Sequence, residues 1–247
     1  MKAFSKRDGF EDDDKVRIVL LGPPGAGKGS LASLYRQRLG VPHLSTGEIF
    51  RHEIARNSRL GQRVKRFVTN GRLVPDGLVV EVMASRLSGN GRKGFVLDGF
   101  PRTRGQAARL DRVLERQRQA LDGALYLTSP ETLLVQRLSG RRVCEKCGEN
   151  YHVRRMPPKR PGRCDQCGGR LITRKDDEPA TIRKRLAIDH RAATPLLNYY
   201  RRRGILHEVN GSGHVDTVFG RTLKLITRKG WLRHDRVHDR AQKRRGA

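Results

Sequence analysis

Aromatic residues make up only 5% of this 247-residue chain, with a single tryptophan, five tyrosines and seven phenylalanines, so its core must be built mainly from aliphatic side chains. The same scarcity argues against a surface of base-stacking platforms for single-stranded nucleic acid. Acidic residues are also few, 25 against 53 Lys and Arg, which leaves a formal charge of +28. Such an excess points to nucleic acid, anionic lipid or phosphorylated small molecules, without choosing among them. No apolar stretch approaches the roughly 18 to 20 residues of a membrane span, which excludes an integral helical membrane protein. An apolar leader is missing too. Residues 1–15 hold four basic and five acidic side chains, so no secretory signal is expected and a cytoplasmic location is. Cysteine is limited to four residues in two Cys-x-x-Cys pairs, read in such a compartment as metal ligands before disulfides.

What is present is an alternation of short apolar runs with helical patterns. Val16 to Leu21 form a largely β-branched run that reads as a buried parallel strand, followed by a glycine loop and a helical pattern over 31–39. Ser45-Thr46-Gly47-Glu48 has the form of a capping box opening a helix to about Arg56, with further helices expected over 60–70 and 76–88. Further strands are expected at 94–98, 124–127 and 205–210, and helices at 106–119, 179–203 and 215–227. Another helix is expected after Ser129 as its cap, with Pro130 at its first position. This order predicts an α/β fold, a parallel sheet with helices on both faces. Between Arg141 and Asp177 the pattern changes to Gly, Pro, Cys and basic residues and reads as an inserted small domain. From Arg228 onward the chain is basic and poor in apolar residues, and is expected to be disordered or a frayed helix end.

Gly22 to Lys28 match G-x-x-x-x-G-K, although Gly29 stands where the general pattern has Ser or Thr and the hydroxyl follows at Ser30. Backbone N–H groups of Gly25, Ala26, Gly27 and Gly29 at a helix N-terminus form an anion cradle, and Lys28 supplies a point charge for the β and γ phosphates. Taken with Ser45-Thr46-Gly47, Asp98-Gly99-Phe100-Pro101-Arg102-Thr103 and Thr173-Arg174-Lys175-Asp176-Asp177, this chain resembles the adenylate kinase family of the long-lid bacterial type.

The resemblance covers about 16–226. It implies a three-layer P-loop kinase over 16–227 with an AMP-binding helical insertion at 45–74 and a zinc lid at 140–177, flanked by an arm at 1–15 and a basic tail at 228–247. It implies reversible transfer of the γ-phosphoryl group of MgATP to AMP, giving two ADP, by a monomer. The nucleophile is a phosphate oxygen already anionic near neutral pH, so the reaction needs charge neutralisation and in-line alignment and no general base. Arginine suits this, its planar fork gripping phosphate oxygens in pairs. By motif position Arg51, Arg102 and Arg174 orient the acceptor phosphate, while Arg137, Arg141 and Arg185 reach the phosphates, Arg185 serving the AMP side as well. Asp98, at the end of a strand, would hold water on Mg²⁺. Adenine selection is implied for Thr46 and Gln106 and for the backbone of Arg72, Leu73, Val74, Gly99, Phe100, Pro101 and Arg102. Arg141, Asn150, Tyr151 and Gly213 are implied near the ATP base and ribose. Closure of such lids over nucleotide is established for adenylate kinases generally.

Cys144-x-x-Cys147, sixteen intervening residues and Cys164-x-x-Cys167 form two knuckles able to close a tetrahedral thiolate site. Structural zinc leads, with iron in the same geometry or two disulfides as alternatives. His152, between the knuckles, reads as a packing or nucleotide-proximal residue. Asp176 and Asp177 read as lid-to-core ion-pair partners that position arginines. The basic tail and the knuckles together raise the further expectation of nucleic-acid contact, which counterion release would make strongly salt dependent.

Overall fold

The computed structural model describes residues 16–90 and 94–232. The arm at 1–15 and the tail from 233 onward lie outside these residues. The strands are β1 (Arg17–Leu21), β2 (His43–Ser45), β3 (Phe95–Asp98), β4 (Gly123–Thr128), β5 (Arg141–Cys144), β6 (Asn150–His152), β7 (Leu171–Ile172) and β8 (Leu206–Asn210). The α-helices are α1 (Lys28–Leu34), α2 (Thr46–Ala55), α3 (Arg59–Thr69), α4 (Asp76–Asn90), α5 (Arg104–Arg116), α6 (Glu131–Ser139), α7 (Pro179–Arg202) and α8 (Val215–Arg228). None of them is long and apolar enough to cross a membrane.

Five strands form a wholly parallel sheet in the order β2-β3-β1-β4-β8, as the alternation of runs and helices implied. Side chains alternate across a strand, so β1 feeds two cores. Val19 and Leu21 join Phe95, Leu97 and Ala124 on one face, while Ile18 and Leu20 join Val96, Leu125 and Leu127 on the other. The sheet is therefore buried on both sides, which is why its strands read as continuous apolar runs. The chain turns from β1 to β2 and β3 on one side and to β4 on the other. The crevice at the C-terminal ends of the strands where the order reverses is the place such sheets hold ligands.

The insertion after β2 is set by local capping. Ser45 Oγ accepts from the Glu48 amide and Ser58 Oγ from the Gly61 amide, fixing the starts of α2 and α3. The two helices cross tightly at Gly61, where an added Cβ would lie 2.1 Å from the Glu53 carbonyl oxygen. Gly61→Ala is therefore expected to force the helices apart and lower the melting temperature by at least 4 °C, about 1 kcal/mol or more. A melting curve within 1 °C of the parent would show that the crossing tolerates the methyl group.

Several local expectations are corrected. Ser129 does not cap α6: Pro130 is the N-cap, without a side-chain hydrogen bond. The helix after the glycine loop starts at Lys28 and its last turn, Tyr35–Leu39, is π-helical. The basic tail does not begin to fray at Arg228. The Trp231 ring packs edge-on against His207 with centroids 5.4 Å apart and covers Gly123, where a Cβ would meet its ring at 2.0 Å. The region 141–177 carries three short antiparallel strands in the order β6-β5-β7.

Candidate active site

The glycine loop leaves the C-terminal end of β1, and Gly25 and Gly27 take positive φ angles of 85° and 92° that aim the following amides inward at the start of α1. Lys28 Nζ donates to the carbonyl oxygens of Gly22 and Pro23, the latter at 2.9 Å. Burial pushes its ammonium down to about 8, with Asp98 and Asp189 opposing the shift. Asp98 pairs in register with Leu20 and Ser45 at the same sheet edge. Burial acts to raise its carboxyl, but the His43 imidazole, Lys28 and Arg102 prevail and hold it below the ordinary range. A Cβ on Gly29 would lie 3.3 Å from Asp98 Oδ2. A side chain at this position would have to displace the Asp98 carboxylate by a few tenths of an ångström.

Around this anion cradle the arginines converge. Arg137, from α6, donates to Gly25 and Ala26 carbonyls at 3.4 Å and to Gly211 and Gly213 carbonyls at 3.0 Å, tying the glycine loop to the segment after β8. Arg141 opens β5 and grips Asp177 through Nε at 2.7 Å and Nη2 at 2.5 Å. Arg174 holds Asp176 through Nε at 2.9 Å. Arg185, from α7, reaches Asp177 Oδ1 and Asp176 Oδ2, both at 3.0 Å. Asp176 and Asp177 thus stand in the expected positions between guanidinium groups.

This arrangement sets the charges. Burial opposes ionisation of Asp176, yet Arg174 and Arg185 outweigh it and hold its carboxyl well below the usual range. Burial and the neighbouring Arg174 push Arg51 down to about 9, and burial lowers Arg185 to about 10, both still cationic near neutral pH. Two carboxylates therefore serve four cations, and the remaining positive charge faces the cavity.

That cavity holds about 500 Å³, within the range of small-molecule sites. Gly25, Ala26, Gly27, Lys28, Gly29 and Ser30 line one wall, with Asp98 and Arg102 beside them. Arg51, Arg137, Arg141, Arg174 and Arg185 line it as well, as do Asn150, Tyr151 and Gly213. His152 also faces the cavity, and its Nε2 lies 3.1 Å from the Gln136 carbonyl, linking β6 to α6. A second cavity of about 70 Å³ adjoins it and is shared by Arg51, Arg102, Arg174 and Arg185. Its walls include Thr46, Arg72, Leu73, Val74, Gly99 and Gln106. Pro101 faces the larger cavity, whereas Phe100 is buried in the core and lines neither.

The small cavity is held by a network that the motifs did not disclose. Thr46 Oγ1 donates to the Gly99 carbonyl at 2.9 Å, and Arg102 Nε donates to the same oxygen at 2.9 Å. Gln106 accepts from the Arg102 amide at 2.7 Å and donates to Asp76 Oδ1 at 2.8 Å, while Thr103 donates to Asp76 Oδ2 at 2.7 Å. Asp76 thus orients the Gln106 amide. Sequence offers only the Pro75-Asp76 helix start as its signal. Asp189, one turn beyond Arg185 on α7, also faces the main cavity, and nothing in its sequence context marks it.

The four cysteine sulfurs gather within 4.8 Å of one another, with Cys144–Cys167 and Cys147–Cys164 each 3.5 Å apart. A disulfide needs about 2.05 Å, and all four cysteines are free. Tetrahedral thiolates about 2.3 Å from an ion would stand roughly 3.8 Å apart, so the cluster fits a four-sulfur metal site. Tyr151 supports it, its hydroxyl 3.4 Å from Cys164 Sγ and accepting from the Asp165 amide at 2.7 Å. Among the described residues Cys167 and Leu171 pack around Cys144, Tyr151 and Cys164, so this lobe has little core of its own.

Comparison with known proteins agrees with this geometry. Residues 20–205 match the family model described as adenylate kinase. An adenylate kinase of Clostridium botulinum strain 657 is 46% identical over 214 residues, covering 86% of this chain and 99% of the relative. One from Moorella thermoacetica is 48% identical over 204 residues, 82% of this chain and 94% of the relative. One from Caldicellulosiruptor bescii is 42% identical over 212 residues, 85% of this chain and 99% of the relative. With a glycine-loop cradle, a half-buried lysine and converging guanidinium groups on a parallel sheet, and with these matches over most of its length, the chain belongs to the adenylate kinase family.

Proposed function

We propose that this adenylate kinase transfers the γ-phosphoryl group of ATP to AMP, giving two ADP, by gathering the phosphates of both nucleotides in the guanidinium-lined cavity. The observation that carries this reading is the joining of two cavities through Arg51, Arg102, Arg174 and Arg185. ATP lies along the glycine loop with its base toward Asn150, Tyr151 and Gly213. AMP enters the smaller cavity with its base against Thr46 and Gln106, so its phosphate points at the shared arginines. An AMP oxygen attacks the γ-phosphorus and the bond to the β-bridging oxygen breaks, leaving ADP on both sides. No proton has to be removed from the nucleophile. Lys28, Arg137 and Arg141 neutralise charge on the transferring group and the leaving ADP.

Magnesium accompanies ATP in adenylate kinases, and when bound it neutralises charge on the phosphates; Asp98 would hold its water and Ser30 would offer a hydroxyl. The four thiolates suit zinc, which has no open coordination position among them and so serves to hold the lobe together, iron being the alternative in the same geometry. The insertion at 45–74 and the lid at 140–177 are the parts that close over the nucleotides and exclude water. One chain supplies every residue of the site, so a monomer suffices.

The test is a magnesium-dependent assay with ATP as donor and AMP, GMP, CMP and UMP as separate acceptors, followed by chromatography of the diphosphates. AMP is expected to exceed each other acceptor by at least about 100-fold in kcat/KM, because a site built to hydrogen-bond one base leaves polar groups unpaired with another. Preference for a different monophosphate would overturn the acceptor assignment and leave the phosphotransferase reading intact. A companion variant, Gln106→Leu, is expected to raise KM for AMP at least tenfold with KM for ATP unchanged.

A further inference from the structure

The cavity accounts for only part of the positive charge, and α3 presents a separate concentration of it. Along Arg59–Thr69 there are four cations, Arg59, Arg63, Lys65 and Arg66, and no carboxylate. Arg59, Arg63 and Arg66 fall at i, i+4 and i+7, within an arc of roughly 60° on one helix face. All three are solvent-exposed. They line neither cavity, so the phosphotransfer does not explain them. Among the described residues no acidic side chain forms an ion pair with any of the four. Arg66 instead lies over the Phe67 ring, 4.9 Å from its centroid.

Such a row is unfavourable in isolation. Like charges at i,i+4 and i,i+3 repel, and Arg59 in the first turn opposes the positive end of the helix. A solvated helix face ordinarily relieves this with interspersed Glu or Asp. Among the described residues nothing supplies that relief. Three guanidinium groups spaced about 6 Å and 4.5 Å along the axis suit a row of phosphates.

We infer that the exposed face of α3 is a docking surface for the phosphate backbone of RNA, bound without regard to base sequence. The opposite face of the helix decides against a membrane. Leu60, Val64, Phe67 and Val68 are packed into the protein core, leaving no apolar side chain to enter a bilayer. The ring beside these arginines, Phe67, is packed against the core, which favours contact with phosphates over contact with bases.

The test is fluorescence anisotropy of a labelled 20-nucleotide single-stranded RNA with the full chain between 50 and 200 mM salt, with saturating ADP to occupy the nucleotide cavity. The wild-type chain is expected to bind with a steep salt dependence. The triple variant Arg59→Gln, Arg63→Gln, Arg66→Gln should weaken binding at least tenfold at 50 mM salt and reduce the slope of log K against log salt by about 2. Its melting temperature should equal or exceed that of the parent, because like-charge repulsion along the helix is relieved, which separates lost docking from lost folding. Three results overturn the inference: no binding by the wild type, an unchanged slope in the triple variant, or binding to vesicles of anionic phospholipid but not to RNA. A parallel triple variant on the lid, Lys159→Gln, Arg160→Gln, Arg163→Gln, should leave most of the affinity; if it alone abolishes binding, the surface is on the lid and not on α3.

Discussion

Replacing Lys28 by methionine is expected to lower turnover on the order of 10³-fold while leaving the melting temperature unchanged or raised. The two halves of this expectation have one cause. The ammonium is held in a desolvating pocket, its titration pushed down to about 8, so the folded chain carries it at some cost until phosphate oxygens approach. Methionine fills similar space without the charge; it removes the phosphate contact and the desolvation cost, and the latter offsets the two loop hydrogen bonds lost at Gly22 and Pro23. The sign of the pH effect follows. Between about pH 8 and the ordinary lysine value of 10.5 the unfolded chain binds the proton and the folded one does not, so this residue makes the wild type more stable as pH rises through that window. Lys28→Met should lack that gain. Calorimetry from pH 7 to 10.5, paired with initial rates of ADP formation, reads both halves; turnover within tenfold of the parent would remove Lys28 from the phosphate site.

Loss of the four-sulfur site is expected to have the largest effect on stability. Cys164→Ser deletes a buried thiol from a lobe whose packed interior is little more than Cys144, Tyr151, Cys164, Cys167 and Leu171. With the site gone, three short strands remain with few apolar contacts. A loss of about 3 kcal/mol would lower the melting temperature by roughly 6 to 12 °C in a chain of this size. Turnover at low temperature should stay within about threefold, because Arg141 and Arg174 are held by Asp177 and Asp176 at the base of the lobe, away from the sulfurs. Metal content by elemental analysis, the melting curve and turnover at 10 °C check the three parts. Failing chemistry with an unmoved melting curve would show that the metal acts in the reaction rather than in the fold.

Much of this arrangement was legible because it depends on local rules. The β-branched run after Val16, the glycine loop and the capping box at Ser45 each encode their own geometry within a few residues. The cysteine spacing likewise announced a sulfur cluster. What could not be read depends on partners far along the chain. Strand β2 has three residues and no apolar run, and becomes a strand because His43 and Ser45 pair with Val96 and Asp98. The lid strands are two to four residues long and polar, formed around the cysteine cluster rather than by propensity. Ser129 misled because a serine before proline suits a cap, yet Pro130 takes that position. Trp231 was read as part of a loose tail because nothing nearby shows that Gly123 leaves room for an indole. Asp76 escaped notice for a similar reason: its carboxylate serves Thr103 and Gln106, 27 and 30 residues away.

The lobe that carries the sulfurs leaves and rejoins the body of the enzyme through paired strands, with Val143 opposite Ile172. Directly opposed residues of antiparallel strands stand about 5 Å apart, so the two junctions are neighbours in space though separated by nearly thirty positions in sequence. An insert with adjacent ends can be lengthened, shortened or replaced without moving a single strand of the parallel sheet. Heat tolerance can then vary between the junctions while the paired arginines and carboxylates at the base of the lobe, Arg141 with Asp177 and Arg174 with Asp176, stay in place outside them.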